Sequence, residues 1–316
     1  MREIESVVLV TGGAGFIGSH TVDLLLREGY RVRVLDDFST GRRENLPQHP
    51  RLEVVAGSVE DPDVLRSSFR EVVAVVHLAA QVSVQRSVED PVQSCRQNIL
   101  GFVGVLDAAR KQSARVVYAS SAAVYGDPET LPLSERATIQ PISPYGLEKY
   151  GNELYAELFG RLHGLSQLGL RYFNVYGPRQ DPNSPYSGVI SRFIDQLRRG
   201  RALTVRGDGL QERDFIHVSD VARVNVAALR NRADGVVNVA SGRVISIRRL
   251  AELMIELHGG TSDVEWVAPL PGDIRRSQAD VRRMRQLLIE PLTPLERGLQ
   301  TLIESGLGKR SATVLP

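Results

Sequence analysis

The chain has 316 residues, 42% hydrophobic and 24% charged, enough for one large α/β domain or a large domain with a smaller partner. Its 39 basic and 37 acidic residues leave a formal net charge of +2 with both signs interspersed, which argues against a nucleic-acid partner, and no stretch approaches the roughly 18 apolar residues of a membrane span. The single cysteine, Cys95, excludes an intrachain disulfide and leaves no cysteine cluster to ligate zinc, and no cleavable leader is apparent, so a soluble protein in a reducing cytoplasm is the expectation.

In chain order, "VVLVTGG" (7–13), "RVRVLDD" (31–37), "LEVVAG" (52–57), "VVAVVHLAA" (72–80) and "RVVYASS" (115–121) predict strands. Each is valine-rich and unbroken rather than alternating, as befits strands covered on both faces by helices, and the intervals leave room for a helix or a short crossover. The fold class that follows is α/β, a doubly wound parallel sheet. Helices are expected after Pro91 and Pro144, a sixth strand over "LGLRYFNVYG" (168–177), and a later one over "GVVNVAS" (235–241). "PRQDPNSPYSG" (178–188) is dense in proline, asparagine and serine, and the remainder mixes short helical and irregular pieces, which suggests a smaller domain built from discontinuous segments. The expected division is 1–177 with 235–260 for a nucleotide-binding domain, and 178–234 with 261–316 for the smaller α/β domain. "LAELMIEL" (250–257) has helical spacing and reads as packing.

The first chemical motif is "VTGGAGFIGSH" (10–20), where Gly12, Gly15 and Gly18 stand between a strand and a helix. Glycine permits the tight turn and the close approach of backbone to a pyrophosphate, whose charge then meets the free N–H groups of the helix N-terminus. Asp36, at the end of the next strand, can accept hydrogen bonds from an adenosine ribose and repel a 2′-phosphate, which favours NAD over NADP. Arg42 and Arg43 follow closely and read as a solvated loop. His77, inside an apolar strand, reads as a satisfied buried histidine rather than a catalytic one.

The second constellation is Ser121, Tyr145 and Lys149. Ser121 closes a strand, and the tyrosine and lysine, four apart, share a helix face behind a Ser143-Pro144 start. Lys149 is one of three lysines, with Lys111 and Lys309, in a chain whose other basic side chains are arginine. A cation about 4 Å from the phenol, at an effective dielectric near 20, supplies about 4 kcal/mol, roughly three pKa units, bringing a phenolate within reach of neutral pH. A compact ammonium can approach both a phenol and a ribose hydroxyl where a planar guanidinium cannot.

Together "TGGAGFIG", "SSAAVYG" and "YGLEK" resemble the extended short-chain dehydrogenase/reductases. With "HLAAQ" (77–81), Asn98, "RYFNVYGPRQ" (171–180), "RDFIHVSD" (213–220) and "PGDIRRSQAD" (271–280), the chain resembles the UDP-hexose 4-epimerases over essentially its whole length, most closely the bacterial UDP-N-acetylglucosamine 4-epimerases of polysaccharide synthesis. The resemblance implies a metal-free oxidation at sugar C4. Tyr145 takes the hydroxyl proton, helped by Ser121, while a hydride passes to NAD and returns to the opposite face of a 4-keto sugar; Lys149 lowers the tyrosine pKa and holds the nicotinamide ribose. Cofactor contacts implied in the same way are Gly12, Gly15, Phe16, Ile17, Gly18, Asp36, Ser39, Gly41, Ser58, Val59, Leu78, Ala79, Ala80, Asn98, Ser120, Tyr145, Lys149 and Tyr172. Implied substrate contacts are Ser83, Ser121, Tyr145, Asn174, Val189, Arg213, Asp273, Arg275 and Ser277, with Arg213 as the diphosphate clamp and a helix cap as the alternative for Ser83.

Individual positions separate this activity from those of similar enzymes. Dehydratases and the UDP-glucuronate decarboxylase typically carry an acid where this chain has Ala122 and Ala123, and eliminating a hydroxyl as water needs such an acid. Ser277 stands where epimerases restricted to plain hexoses carry tyrosine, so N-acetylated sugars are expected to fit. Leu270 replaces a frequent second phosphate-binding arginine, and Ser58 an adenine-contacting aspartate; Arg275 is a candidate to supply the missing charge. A UDP-glucuronate 4-epimerase and a non-catalytic NAD-binding sensor stay open as alternatives, and a homodimer is implied by resemblance through the helices after Pro91 and Pro144.

Overall fold

The computed structural model describes residues 6–181, 188–269, 274–287 and 291–307. The chain runs through β1 (Val7–Thr11), α1 (Phe16–Arg27), β2 (Arg31–Asp36), β3 (Leu52–Ala56), α2 (Pro62–Ser68), β4 (Val72–His77), α3 (Val84–Glu89), α4 (Pro91–Cys95), α5 (Gly101–Gln112), β5 (Arg115–Ser121), α6 (Pro144–His163) and β6 (Gln167–Tyr172). It continues through β7 (Asn174–Tyr176), α7 (Val189–Arg198), β8 (Leu203–Arg206), β9 (Glu212–His217), α8 (Val218–Arg230), β10 (Gly235–Val239), β11 (Val244–Ser246), α9 (Ile247–His258), β12 (Val264–Val267), α10 (Arg282–Leu287) and α11 (Leu295–Leu307). A single π turn, Arg96–Leu100, joins α4 to α5.

The seven-stranded sheet has the order β10-β6-β5-β4-β1-β2-β3, and every pairing in it is parallel. β1 is buried at all five positions, which is why its sequence is apolar without alternation, and β6 is buried at all six even though Gln167 and Arg171 lie in it. The chain leaves β1 toward β2 and β3, then returns to β4 and builds in the other direction. That reversal opens a crevice at the carboxyl ends of β1 and β4, the place where doubly wound sheets bind ligands. α6, which carries the tyrosine and lysine, starts with Ser143 Oγ accepting from Gly146 N at 3.1 Å and Pro144 in the first turn, and stops at Gly164 with φ 65°.

Two sequence expectations are corrected. The run 168–177 is two strands in two sheets: Phe173 N donates to Val239 O, and β7 then leaves the large sheet to pair with β9, which β11 flanks on its other side. The alternation of apolar residues continues across the junction, so periodicity cannot register the change of partner. The domain division also differs at its helices. α8, assigned to the smaller domain, packs on α1 and buries Val226 in the cluster behind β1 and β2, while Ala279, Val281 and Met284 join the core against β6 and β10. α9, assigned to the larger domain, instead buries Leu250, Leu253 and Met254 with α7, β8 and α11. Among the described residues, no helix is long and apolar enough to cross a membrane.

Candidate active site

The glycine turn closes β1 against the end of β4. Gly12 has φ +67°, and a Cβ there would lie 2.7 Å from Ala79 N; a Cβ on Gly18 would strike Gly12 O, so α1 can sit this close to the turn only without one. Gly15 enters α1 with no side-chain cap, leaving the first-turn N–H groups, which include those of Phe16 and Ile17, to a ligand or solvent. Asp36 ends β2 beside this turn, accepting from Ala14 N at 2.8 Å and Phe38 N at 2.9 Å. Burial raises its carboxyl pKa against those two hydrogen bonds. A Cβ on Gly41 would lie 2.6 Å from Asp36 Oδ1, so the following loop also needs its glycine. A turn with no Cβ at positions 12, 13 and 15, an uncapped helix start and an acid at the end of β2 fit a dinucleotide with an unphosphorylated ribose.

Around this turn the expected cofactor residues divide into two groups. Leu78, Ala79 and Ala80 follow β4 at the crevice, where Thr11 Oγ1 accepts from Leu78 N at 3.2 Å and Ala79 N at 3.3 Å. Ser39 donates its hydroxyl to Asp37 at 2.6 Å, and Ser58 Oγ accepts from Glu60 N at 3.1 Å, both being exposed turn contacts. Val59, Asn98, Ser120 and Tyr172 are buried and committed within the protein. Val59 packs with Leu65 and Phe102, Ser120 donates to Glu153 at 2.5 Å, and the Tyr172 hydroxyl donates to Asn225 at 2.7 Å. Asn98 braces Gln81, donating to its carbonyl at 2.9 Å and accepting from its N–H at 2.8 Å.

Ser121, at the end of β5, and Tyr145 and Lys149, one turn apart on α6, come together at the same edge. Burial pushes the Tyr145 phenol up from its ordinary value, a hydrogen bond with Ser121 pulls it back, and the Glu148 carboxylate pushes it up again. Burial likewise pushes the Lys149 ammonium down to about 8, against the pull of Glu148. Lys149 Nζ donates to Ala119 O at 3.2 Å and lies 5.8 Å from the centre of the Tyr145 ring. With the ammonium donating to a backbone carbonyl, desolvation is the largest influence on the phenol. His77 is buried with Nδ1 2.8 Å from Thr11 Oγ1, and burial lowers it to about 3, consistent with a structural, neutral role.

Behind the triad lie residues that sequence reasoning missed. Arg171 on β6 pairs with Glu153 through two contacts of 2.8 and 2.6 Å, both side chains buried, and Arg171 also donates to the Tyr125 hydroxyl at 2.8 Å. The Tyr125 hydroxyl in turn donates to Asn238 Oδ1 at 2.6 Å. Four elements are thus tied beneath Ser120 and Ser121. The available signal was the spacing of Glu153 four residues after Lys149, which puts it on the same buried face of α6.

Apart from Ser83, Ser121 and Tyr145, the expected substrate residues that the structure describes sit on the second lobe. Ser83 is buried and caps α3, accepting from Arg86 N at 2.9 Å, so the cap alternative is the one observed. Asn174 on β7 donates to Asp214 O at 3.2 Å, Val189 begins α7, and Arg213 on β9 donates to Glu212 O at 2.9 Å. Ser277 is half-buried alongside β9, its N–H 3.2 Å from Glu212 O. Arg275 is exposed and gripped by Asp208 through contacts of 2.8 and 3.0 Å, so its guanidinium is already partnered. Asp273 and Leu270 lie outside the described residues.

Comparison with known proteins agrees with this geometry. The NAD dependent epimerase/dehydratase family matches residues 8–240. A UDP-glucose 4-epimerase of Mycolicibacterium smegmatis is 39% identical over 305 residues, covering 94% of this chain and 97% of the relative. UDP-glucuronic acid decarboxylase 1 of Xenopus tropicalis is 34% identical over 305 residues, covering 94% of this chain and 71% of the relative. Among solved structures, a UDP-N-acetylglucosamine 4-epimerase from Methanobrevibacter ruminantium M1 in complex with UDP-N-acetylmuramic acid superposes with a TM-score of 0.93 at 37% identity, covering 96% of this chain and 99% of that one. With the glycine turn, the ribose acid and the Ser121, Tyr145 and Lys149 constellation on one sheet edge, the chain belongs to the NAD-dependent epimerase/dehydratase family.

Proposed function

We propose that the protein inverts C4 of a UDP-sugar, using NAD that is regenerated in each cycle, and that it accepts UDP-N-acetylglucosamine and UDP-N-acetylgalactosamine as well as UDP-glucose and UDP-galactose. The observation that carries this is Tyr145, hydrogen-bonded to Ser121 and one turn from Lys149, beside the short turn Ala122–Tyr125, which opens with two alanines and holds no acid. NAD, when bound, supplies the hydride acceptor and a cationic ring beside the phenol. Tyr145 removes the C4 hydroxyl proton, Ser121 shares that proton's hydrogen bond, and Lys149 adds charge that favours the phenolate. With no acid at 122 or 123 to protonate a leaving hydroxyl, the 4-keto sugar is reduced again rather than dehydrated. In this reading the nucleotide is held by Asn174, Val189, Arg213 and Asp273.

Incubation with UDP-N-acetylglucosamine and no added NAD is expected to yield UDP-N-acetylgalactosamine, with UDP-glucose and UDP-glucuronate run in parallel; no conversion of any of them would leave an NAD-binding sensor. Conversion of UDP-glucuronate alone would favour the glucuronate epimerase. Arg275 and Arg276, the obvious partners for a sugar carboxylate, are held by Asp208 and Glu212, which weighs against it. Ser277→Tyr is expected to abolish turnover of UDP-N-acetylglucosamine and spare UDP-glucose, because the half-buried serine leaves room for an acetamido group. Equal loss on both sugars sinks the gatekeeper role.

The assembly in this reading is a homodimer. Val88 and Val92 on α3 and α4, and Leu147, Leu154, Leu158 and Leu162 on α6, expose apolar side chains along one flank. Light scattering is expected to give twice the 34.8 kDa chain mass, falling to one chain in Leu154→Glu/Leu158→Glu. A wild-type mass of one chain would overturn the dimer.

A further inference from the structure

Glu148 is a buried carboxylate on α6, next to Lys149 and one turn from Tyr145, for which the chemistry above has no task. Its Oε2 accepts from Ser94 Oγ at 2.8 Å and from Asn98 Nδ2 at 2.6 Å. Asn98 in turn grips the backbone of Gln81, and Gln81 Nε2 donates to Ser94 Oγ at 3.2 Å. The carboxylate therefore fastens the catalytic helix to α4, to the π turn and to the segment after β4. Among the described residues it has no ion pair within contact distance, so two neutral donors and the nearby charge of Lys149 offset its desolvation.

The groups around Lys149 show why that charge matters. From α6 come Tyr145, Glu148 and Glu153; from β5 comes the carbonyl of Ala119; from β4 comes His77; from α4 and the π turn come the uncharged Ser94 and Asn98. Glu153 is neutralised by Arg171, and His77 is kept neutral by burial. Glu148 is left as the acidic neighbour with no cation of its own.

On the basis of the catalytic reading of Tyr145 and Lys149, we propose that Glu148 is a positioning residue whose fixed carboxylate keeps Lys149 protonated at working pH and locks α6 to the loop carrying Leu78–Gln81. The same negative charge opposes ionisation of Tyr145, so Glu148 sets both limbs of the pH profile. Removing it stabilises the phenolate and destabilises the ammonium. Both limbs of kcat then move to lower pH together, whereas the loss of a merely structural contact lowers kcat at every pH and moves neither.

The composition makes a direct test possible. With 13C-lysine labelling, Lys111, Lys149 and Lys309 give three Cε signals, and Lys149→Met assigns the third. The Lys149 signal is expected to titrate near 8 in the intact protein and about one pH unit lower in Glu148→Gln, with both limbs of kcat shifted to match. Glu148→Gln/Ser94→Asp returns a carboxylate to the same cluster and is expected to restore both readouts; it also serves if the single variant folds poorly. An unmoved Lys149 titration in Glu148→Gln, or restoration of neither readout by Ser94→Asp, overturns the proposal. The titration is read without substrate, so failure of the epimerase reading leaves it intact, while failure here leaves turnover intact and the signal unmoved.

Discussion

Tyr145→Phe is expected to lower turnover on every accepted UDP-sugar by about 10³-fold, within the range for losing a positioned general base. The substitution removes one oxygen from a half-buried ring on α6, so melting temperature and bound NAD should be unchanged. No other group nearby can take over. His77 is neutral and faces Thr11, Lys149 donates to Ala119 O, and the Ser121 hydroxyl is not a base at neutral pH without a partner to take its proton. Activity above a tenth of wild type, measured by chromatographic separation of the two epimers, would assign proton transfer elsewhere.

The largest effect on stability is expected from Arg171→Met. It would leave Glu153 buried with Ser120 as its remaining donor and strip the Tyr125 hydroxyl of a partner. Removing one member of a buried ion pair costs about 3–5 kcal/mol, because the desolvated charge that remains has nothing to offset it. Urea unfolding monitored by circular dichroism measures this directly. Glu153→Leu/Arg171→Met should recover most of the loss, since no uncompensated charge is left. A single-variant loss below about 1 kcal/mol would mean that water reaches Glu153 and that the pair is not a dry one.

The large sheet was legible in the sequence because its strands are covered on both faces, so Val7–Thr11 and Arg115–Ser121 carry unbroken apolar runs that helices do not need. The glycine turn was legible for a different reason: a left-handed Gly12 against Ala79 admits no other residue. What stayed hidden depends on partners distant in sequence. The acids Glu148 and Glu153 look like the solvent side of an amphipathic helix until Asn98 and Arg171 are brought beneath them. Asn98 and Tyr172, expected at the cofactor, prove to have their polar atoms bound to protein groups. Lys149 was read as an electrostatic lever on Tyr145; burial, which a sequence does not display, works against that lever. Arg275 looked like a free cation only because Asp208, 67 residues away in sequence, was not yet its neighbour.

The passage of β6 into β7 without an intervening loop has a mechanical meaning. Tyr172 stands in register with Ser121 in the large sheet, and Asn174 stands in register with Phe215 in the small one, so a single residue, Phe173, and two residue steps separate the reacting edge from the neighbouring lobe. At about 3.3 Å per residue that span is roughly 7 Å, and extended backbone does not stretch. The segment is a ruler: where the chain crosses, the separation between the Ser121 edge of the large sheet and the neighbouring small sheet is set by covalent geometry rather than by side-chain packing.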